Sequence, residues 1–440
     1  MHKILFIVIF FFTFSTQGQG TISGTFSPAK EYSWGIAYKL KPGTQVYVAD
    51  TAIKKGKFNL TIPENSTPGM YRIVYAIPQE EFYFDVLYNG KEDIEFTFNI
   101  DDGPKFTASE ENVIYQSYTE AINTIEQEVV NFYLSGETDK KKFSKLAQQS
   151  KDTQALYVEK SKGLLVHEFI KANTLPIPPK HTTIEDYIAF KKEHYFNNVD
   201  MKNPVLLAST FLTDKIGNYV FTALPTEIMS QDKTEKEINN NVKLVNTIIQ
   251  ENTDSYRLHV MYSLWSQAAA SNFNIVSDYI YNSYLKELAT TAKNEEIINQ
   301  IETHNRLRLG AIPPEVTWKE NQKKQTLSTL TGADNYVLVF WSSTCSHCLK
   351  ELPALHKKLK NNTQVTVIAV GLESDDITWK KESSKLSSFK HAIALGKWDS
   401  EYAKLYNIQA TPTYYLLDKE KHIIAKPEND KELIELLNKE

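Results

Sequence analysis

The run YVLVFW, residues 336–341, is six apolar residues without interruption. A strand with one wet face alternates apolar and polar side chains, so an unbroken run of this kind reads as a strand buried on both faces, inside a covered sheet. Four residues beyond it stands Cys345, and then Cys348; these are the two cysteines of the chain. HCLKELPALHKKLKN (347–361) follows with helical spacing. Strand, cysteine pair and helix in this order restrict the local fold more tightly than any other stretch.

The same alternation continues to the end. VTVIAVGL (365–372) and HAIAL (391–395) read as strands, ITWKKESSKL (377–386) and SEYAKLYNI (400–408) as helices. TYYLLD (413–418) and HIIAK (422–426) read as a paired hairpin, and DKELIELLNK (430–439) as a last helix. This pattern predicts an α/β fold with a mixed sheet over residues 309–440. At 440 residues the chain exceeds what one core usually supports, so further domains are expected. Residues 19–104 hold short runs rich in β-branched and aromatic residues, such as KGKFNLTI (55–62), GMYRIVYA (69–76), EFYFDVLY (81–88) and DIEFTFNI (93–100). Turn signals separate them, with Asn89-Gly90 reading as a hairpin turn; some seven antiparallel strands in an all-β sandwich fit. Residues 105–308 repeat apolar positions at three- and four-residue intervals, as in NVIYQSYTEAINTIEQEVVNFYL (112–134), and read as an all-α domain interrupted at Pro178-Pro179. The Pro pair in LGAIPPEVTW (309–318) marks the second junction.

The first residues, MHKILFIVIFFFTFSTQGQG, carry one lysine, an apolar run about half the length that spans a bilayer, and Thr16 and Gly18 at suitable positions for cleavage. Residues 1–18 are therefore expected to be a secretory signal peptide, and the mature chain to be soluble and periplasmic or otherwise exported, where disulfides persist. A net charge of −5 with no basic stripe excludes nucleic acid as an expected partner.

Four readings compete for the cysteines: a metal site, a structural staple, two unrelated free thiols that fall together by chance, and a redox pair. A zinc site needs about four ligands, and the chain offers one pair of thiols with scattered histidines, so no metal is expected. A structural staple across so short a loop removes little chain entropy. A redox pair fits the placement best. Cys345 would sit at a helix N-terminus, where unpaired N–H groups and the helix dipole favour thiolate, with Cys348 one turn deeper. Cys345 is then the nucleophile, Cys348 the resolving thiol, and the two close a Cys345–Cys348 disulfide. No dissociable cofactor is expected, because the electrons reside in the pair.

The stretch VLVFWSSTCSHC, the helix after it, and ATPTYYLLD some sixty residues on resemble the thioredoxin superfamily, most closely its TlpA-like branch of exported bacterial thiol–disulfide oxidoreductases. IPPEVTW resembles that branch's lead-in strand, and CSHCLKELP its acid and proline after the cysteines, here Glu351 and Pro353. The resemblance covers about residues 310–440. It implies a thioredoxin-like fold with a cis bond at Pro412 opposite the cysteines, and Thr411 beside it ready to pair with a substrate chain. Ser346, His347, Trp341 and Glu351 would support the pair or line its groove. The implied partners are cysteine-containing envelope proteins and a redox protein that recycles the dithiol. Three departures leave the direction of electron flow open: Thr344 replaces the usual Trp, Ser346-His347 the usual Gly-Pro or Pro-Pro, and Val339 stands where thioredoxin has a buried Asp. Glu351 and Glu373 are substitutes for that acid which nothing in the sequence singles out. The β-then-helical arrangement before this domain resembles exported Bacteroidetes proteins, in architecture only. The function expected is thus an exported thiol–disulfide oxidoreductase; the competing one is a non-catalytic envelope-binding or scaffold protein whose thioredoxin-like domain is a bystander.

Overall fold

The computed structural model describes residues 20–438; the expected signal peptide lies outside them. The described residues form two compact units, divided between Ala292 and Lys293. Among the described residues no helix is long and apolar enough to cross a membrane.

The first unit opens with eight strands: β1 (Thr21–Ser27), β2 (Trp34–Lys41), β3 (Thr44–Ala52), β4 (Lys57–Thr61), β5 (Gly69–Val74), β6 (Tyr83–Tyr88), β7 (Ile94–Asn99) and β8 (Gly103–Ala108). They make two four-stranded sheets, ordered β4-β1-β7-β8 and β3-β2-β5-β6. Burial alternates strictly along β4 and along most of β7, so Phe58, Leu60, Ile94, Phe96 and Phe98 point inward. Phe26 packs within 6.4 Å, ring to ring, of six other aromatics in this core, among them Tyr32, Phe58, Tyr75 and Phe84. The arrangement is not purely antiparallel, because β1 pairs with β7 in parallel. Nor is Asn89-Gly90 a hairpin: β6 and β7 belong to different sheets. The Asn89 side chain instead accepts the N–H groups of Lys91 and Glu92, closing a local turn that carries the chain across.

Helices follow from Glu110 onward, as the periodicity predicts, but they do not form a separate body. The long helix Glu110–Leu134 presents Asn112 to the edge of β6, where its amide accepts the Leu87 N–H (2.8 Å) and donates to the Leu87 carbonyl (2.7 Å). A side chain here takes the place of a neighbouring strand. Glu111, also buried, accepts the N–H groups of Leu165 and Val166 at the start of the helix Val166–Ala172. Leu40, Met70 and Leu87 of the strands share one core with Tyr118, Ile122, Phe169 and Leu212 of the helices. Strand and helix segments therefore fold as one unit.

The helix Glu295–Leu307, grouped by its periodicity with the preceding helices, belongs to the second unit instead. Arg306 donates through Nε to the Leu405 carbonyl, and Leu307 enters the second unit's core. The boundary thus falls at 292/293 and not at 308/309. Within this unit β9 (Thr317–Glu320) and β10 (Lys323–Thr326) form a small hairpin. The main sheet has the order β13-β12-β11-β14-β15, from β11 (Asn335–Trp341), β12 (Val365–Glu373), β13 (Lys390–Leu395), β14 (Thr413–Leu417) and β15 (Ile423–Ala425). β11, β12 and β13 run parallel to one another, β14 runs antiparallel to β11, and β15 runs antiparallel to β14. Central β11 is buried on both faces as its composition requires. Tyr336, Leu338 and Phe340 point into one layer, and Val337, Val339 and Trp341 into the other.

Candidate active site

The site lies where β11 ends. After Trp341 the chain turns through Ser342–Cys345, closed by the Cys345 N–H to the Ser342 carbonyl (3.1 Å), and enters the helix Ser346–Leu359. Cys345 is the N-cap residue, and its Sγ accepts the N–H of Cys348 at 3.3 Å. A sulfur in this position takes a hydrogen bond that the first helical turn cannot satisfy from its own backbone.

Both cysteines are free thiols here; Cys345 is partly exposed and Cys348 is buried. Their surroundings separate them. Burial acts to raise the Cys345 pKa but is outweighed by hydrogen bonding from the side chains of Cys348 and Thr411 and from the N–H groups of Cys348 and His347, so it sits below the usual thiol value. The Cys348 thiol is pushed up to about 12, chiefly by burial and then by its hydrogen bond to Cys345. Trp341, Leu352, Leu355 and Tyr414 are packed in the same core cluster as Cys348.

Thr411-Pro412 stands opposite with a cis peptide bond, and the Thr411 carbonyl accepts a hydrogen bond from Cys345 Sγ at 3.3 Å. Of the expected residues, Cys345, Cys348, Thr411 and Trp341 are brought together. Ser346 and His347 are exposed at the helix start, and among the described residues no hydrogen bond joins the His347 imidazole to either sulfur. The influence of His347 on Cys345 comes through its backbone N–H. Glu351 accepts the Tyr414 hydroxyl at 3.2 Å. Burial, followed by the charge of Glu351, raises the Tyr414 phenol, and Cys348 adds to the effect. Glu351, Tyr414 and Cys348 thus lie within electrostatic reach of one another.

Glu373, at the end of β12, does what its sequence position does not announce. Its side chain is buried and accepts the Ser343 N–H at 2.5 Å, with the Ser342 hydroxyl at 3.5 Å. It therefore anchors the turn that delivers Cys345. A carboxylate after an apolar strand ordinarily marks the passage into solvent, so the pattern conceals this role.

Residues 309–426 match the AhpC/TSA family. Over 118 residues the chain is 34% identical to the thiol-disulfide oxidoreductase ResA of Bacillus thuringiensis, a stretch covering 26% of this chain and 66% of the relative. The C-terminal unit is thus similar to thioredoxin-like thiol–disulfide oxidoreductases, and the chain spans just under two thirds of that relative's length. Among solved structures, a domain of a possible thiol-disulfide isomerase from Cytophaga hutchinsonii is 30% identical and aligns over 30% of this chain and 92% of its own, with a TM-score of 0.27. A thioredoxin-like protein from Bacteroides caccae aligns over 60% of this chain and 97% of its own, at 18% identity and a TM-score of 0.31.

Proposed function

We propose that the chain is an exported thiol–disulfide oxidoreductase acting on cysteine-containing proteins of the cell envelope. The observation that carries this reading is the division of labour between the sulfurs. Cys345 is accessible, held below the ordinary thiol pKa and capped by an N–H, while Cys348 is buried and pushed up to about 12. The Cys345 thiolate attacks one sulfur of a substrate disulfide. A Cys345–substrate bond forms and the other substrate sulfur leaves as thiolate, taking up a proton. Cys348 then loses its proton and attacks Cys345 Sγ, forming Cys345–Cys348 and releasing the second substrate thiol. The substrate gains two electrons and two protons, and the protein loses them; run backwards, the same steps oxidise a substrate dithiol. A second dithiol or disulfide protein resets the pair. The Thr411 backbone supplies the wall against which the substrate chain is laid. Export rests on the character of residues 1–18.

The test compares wild type with Cys345→Ser in insulin reduction and in oxidation of a dithiol peptide. Wild type is expected to be faster in at least one direction, and Cys348→Ser to accumulate a mixed disulfide through Cys345. Equal rates for wild type and Cys345→Ser in both directions would overturn the enzymatic reading and leave the binding-protein alternative. The measured potential, above or below that of the glutathione couple, assigns the direction.

A further inference from the structure

The first unit contains a polar cavity that thiol chemistry does not use. It measures about 410 Å³ and lies where the strands meet the helices, within the size range of small-molecule sites. One wall is a face of the helix Phe211–Thr222, with Phe211, Asp214, Lys215 and Asn218; Tyr115 and Tyr195 contribute aromatic surface from elsewhere.

Its charges are unusual. The Lys215 ammonium lies 4.4 Å from the centre of the Tyr195 ring and 5.9 Å from that of Phe211. Among the described residues no carboxylate stands within ion-pair distance of it; Glu126, which acts on it from further away, is bonded to Lys191 at 2.6 Å. Burial pulls the Lys215 ammonium down to about 8. Asp214, the preceding residue, likewise forms no ion pair among the described residues. The neighbouring Arg72 is committed to Asp85 through two bonds of 2.9 and 3.0 Å, and Asp85 also accepts from Thr210. The cavity therefore presents a cation with no carboxylate within ion-pair distance and, beside it, an anion that a hydrogen bond from Thr210 and the more distant charge of Arg72 offset only in part. A ligand bearing only negative charge would meet Asp214, and one bearing only positive charge would meet Lys215. Asn218 donates to the Tyr195 hydroxyl at 3.2 Å, so that hydroxyl accepts here and its own proton is left to donate.

We propose that this cavity binds a small zwitterion, an amino acid or short peptide, with Lys215 and Tyr195 receiving its carboxylate and Asp214 its ammonium. Tyr115 and Phe211 would hold the apolar part between them. The site lies outside the redox unit and does not depend on the assignment of the cysteines.

Native mass spectrometry of the full chain against the free amino acids and pooled dipeptides should show a one-to-one complex. Calorimetry then compares the best binder with its N-acetyl and its C-terminal amide forms on the wild-type protein. Each block should weaken binding about tenfold or more, as loss of one charged contact does. Lys215→Met should remove the penalty for amidation, Asp214→Asn that for acetylation, and Lys215→Arg should retain both. Unchanged circular dichroism and an unchanged thermal unfolding transition would show that the variants are folded. Absence of any complex, or equal affinity for the doubly blocked peptide, overturns the proposal, and both arms need wild-type protein alone.

Discussion

Cys345 Sγ lies 3.3 Å from the carbonyl oxygen of Thr411, so the nucleophile and the cis peptide unit contributed by a distant stretch of chain meet across one hydrogen bond. The same sulfur accepts the N–H of Cys348. It therefore has a donor on its helix side and an acceptor on its groove side. As a thiol it is oriented toward the groove; as a thiolate it retains the helix N–H.

Alkylation should separate the two cysteines by pH. Because Cys345 is held below the usual thiol value, its thiolate fraction grows at lower pH than that of an unfolded thiol, while Cys348 stays protonated until about pH 12. Iodoacetamide labelling with peptide mass spectrometry should find Cys345 modified first, with a midpoint below pH 9, and Cys348 unmodified in the folded protein at pH 8. Equal labelling of both at pH 8 would contradict the burial of Cys348.

Thr411→Val should raise the Cys345 pKa while leaving the carbonyl contact in place. The Thr411 side chain is among the groups that lower it, and the substitution removes the hydroxyl but keeps the backbone. Loss of one hydrogen bond worth about 1 kcal/mol corresponds to roughly fivefold less thiolate well below the pKa. The alkylation rate of Cys345 at pH 7 measures it; an unchanged rate would remove Thr411 from thiolate stabilisation.

What the sequence makes legible here follows from composition acting locally. YVLVFW must be buried on both faces, and it is, with Val339 and Trp341 on one side and Leu338 and Phe340 on the other. The short Cys345–Cys348 spacing and the Thr411-Pro412 pair are local signals that lead directly to the site. What is hidden depends on partners far along the chain. Asn112 and Glu111 look like the polar face of an amphipathic helix, yet both are buried because they satisfy backbone groups at Leu87, Leu165 and Val166. Periodicity carries no information about such partners. For the same reason it does not say that Glu295–Leu307 packs forward into the second unit, or that the chain changes sheets at Asn89-Gly90.

Glu373→Ala should loosen the turn before Cys345. It removes the acceptor of the buried Ser343 N–H, and a buried donor left without a partner costs about 1–3 kcal/mol. Glu373→Gln keeps an oxygen acceptor and should lose less than half as much. Denaturation followed through Cys345 and Cys348 accessibility reports on the second unit by itself. Matching stabilities for the two variants would show that Glu373 does not act through that hydrogen bond.

Asn112→Ala tests whether strands and helices of the first unit are one cooperative body. The substitution leaves both the N–H and the carbonyl of Leu87 unpaired at the edge of β6, an expected loss of about 2–6 kcal/mol from two buried polar groups. Water cannot replace the amide without opening the core that joins Leu87 to Tyr118 and Ile122. Hydrogen exchange should therefore accelerate at the Leu87 amide and, together with it, through β5, β6 and the helix Glu110–Leu134. Acceleration confined to Leu87 would mean that the strand and helix segments hold together without this bridge, and that their shared apolar core is sufficient.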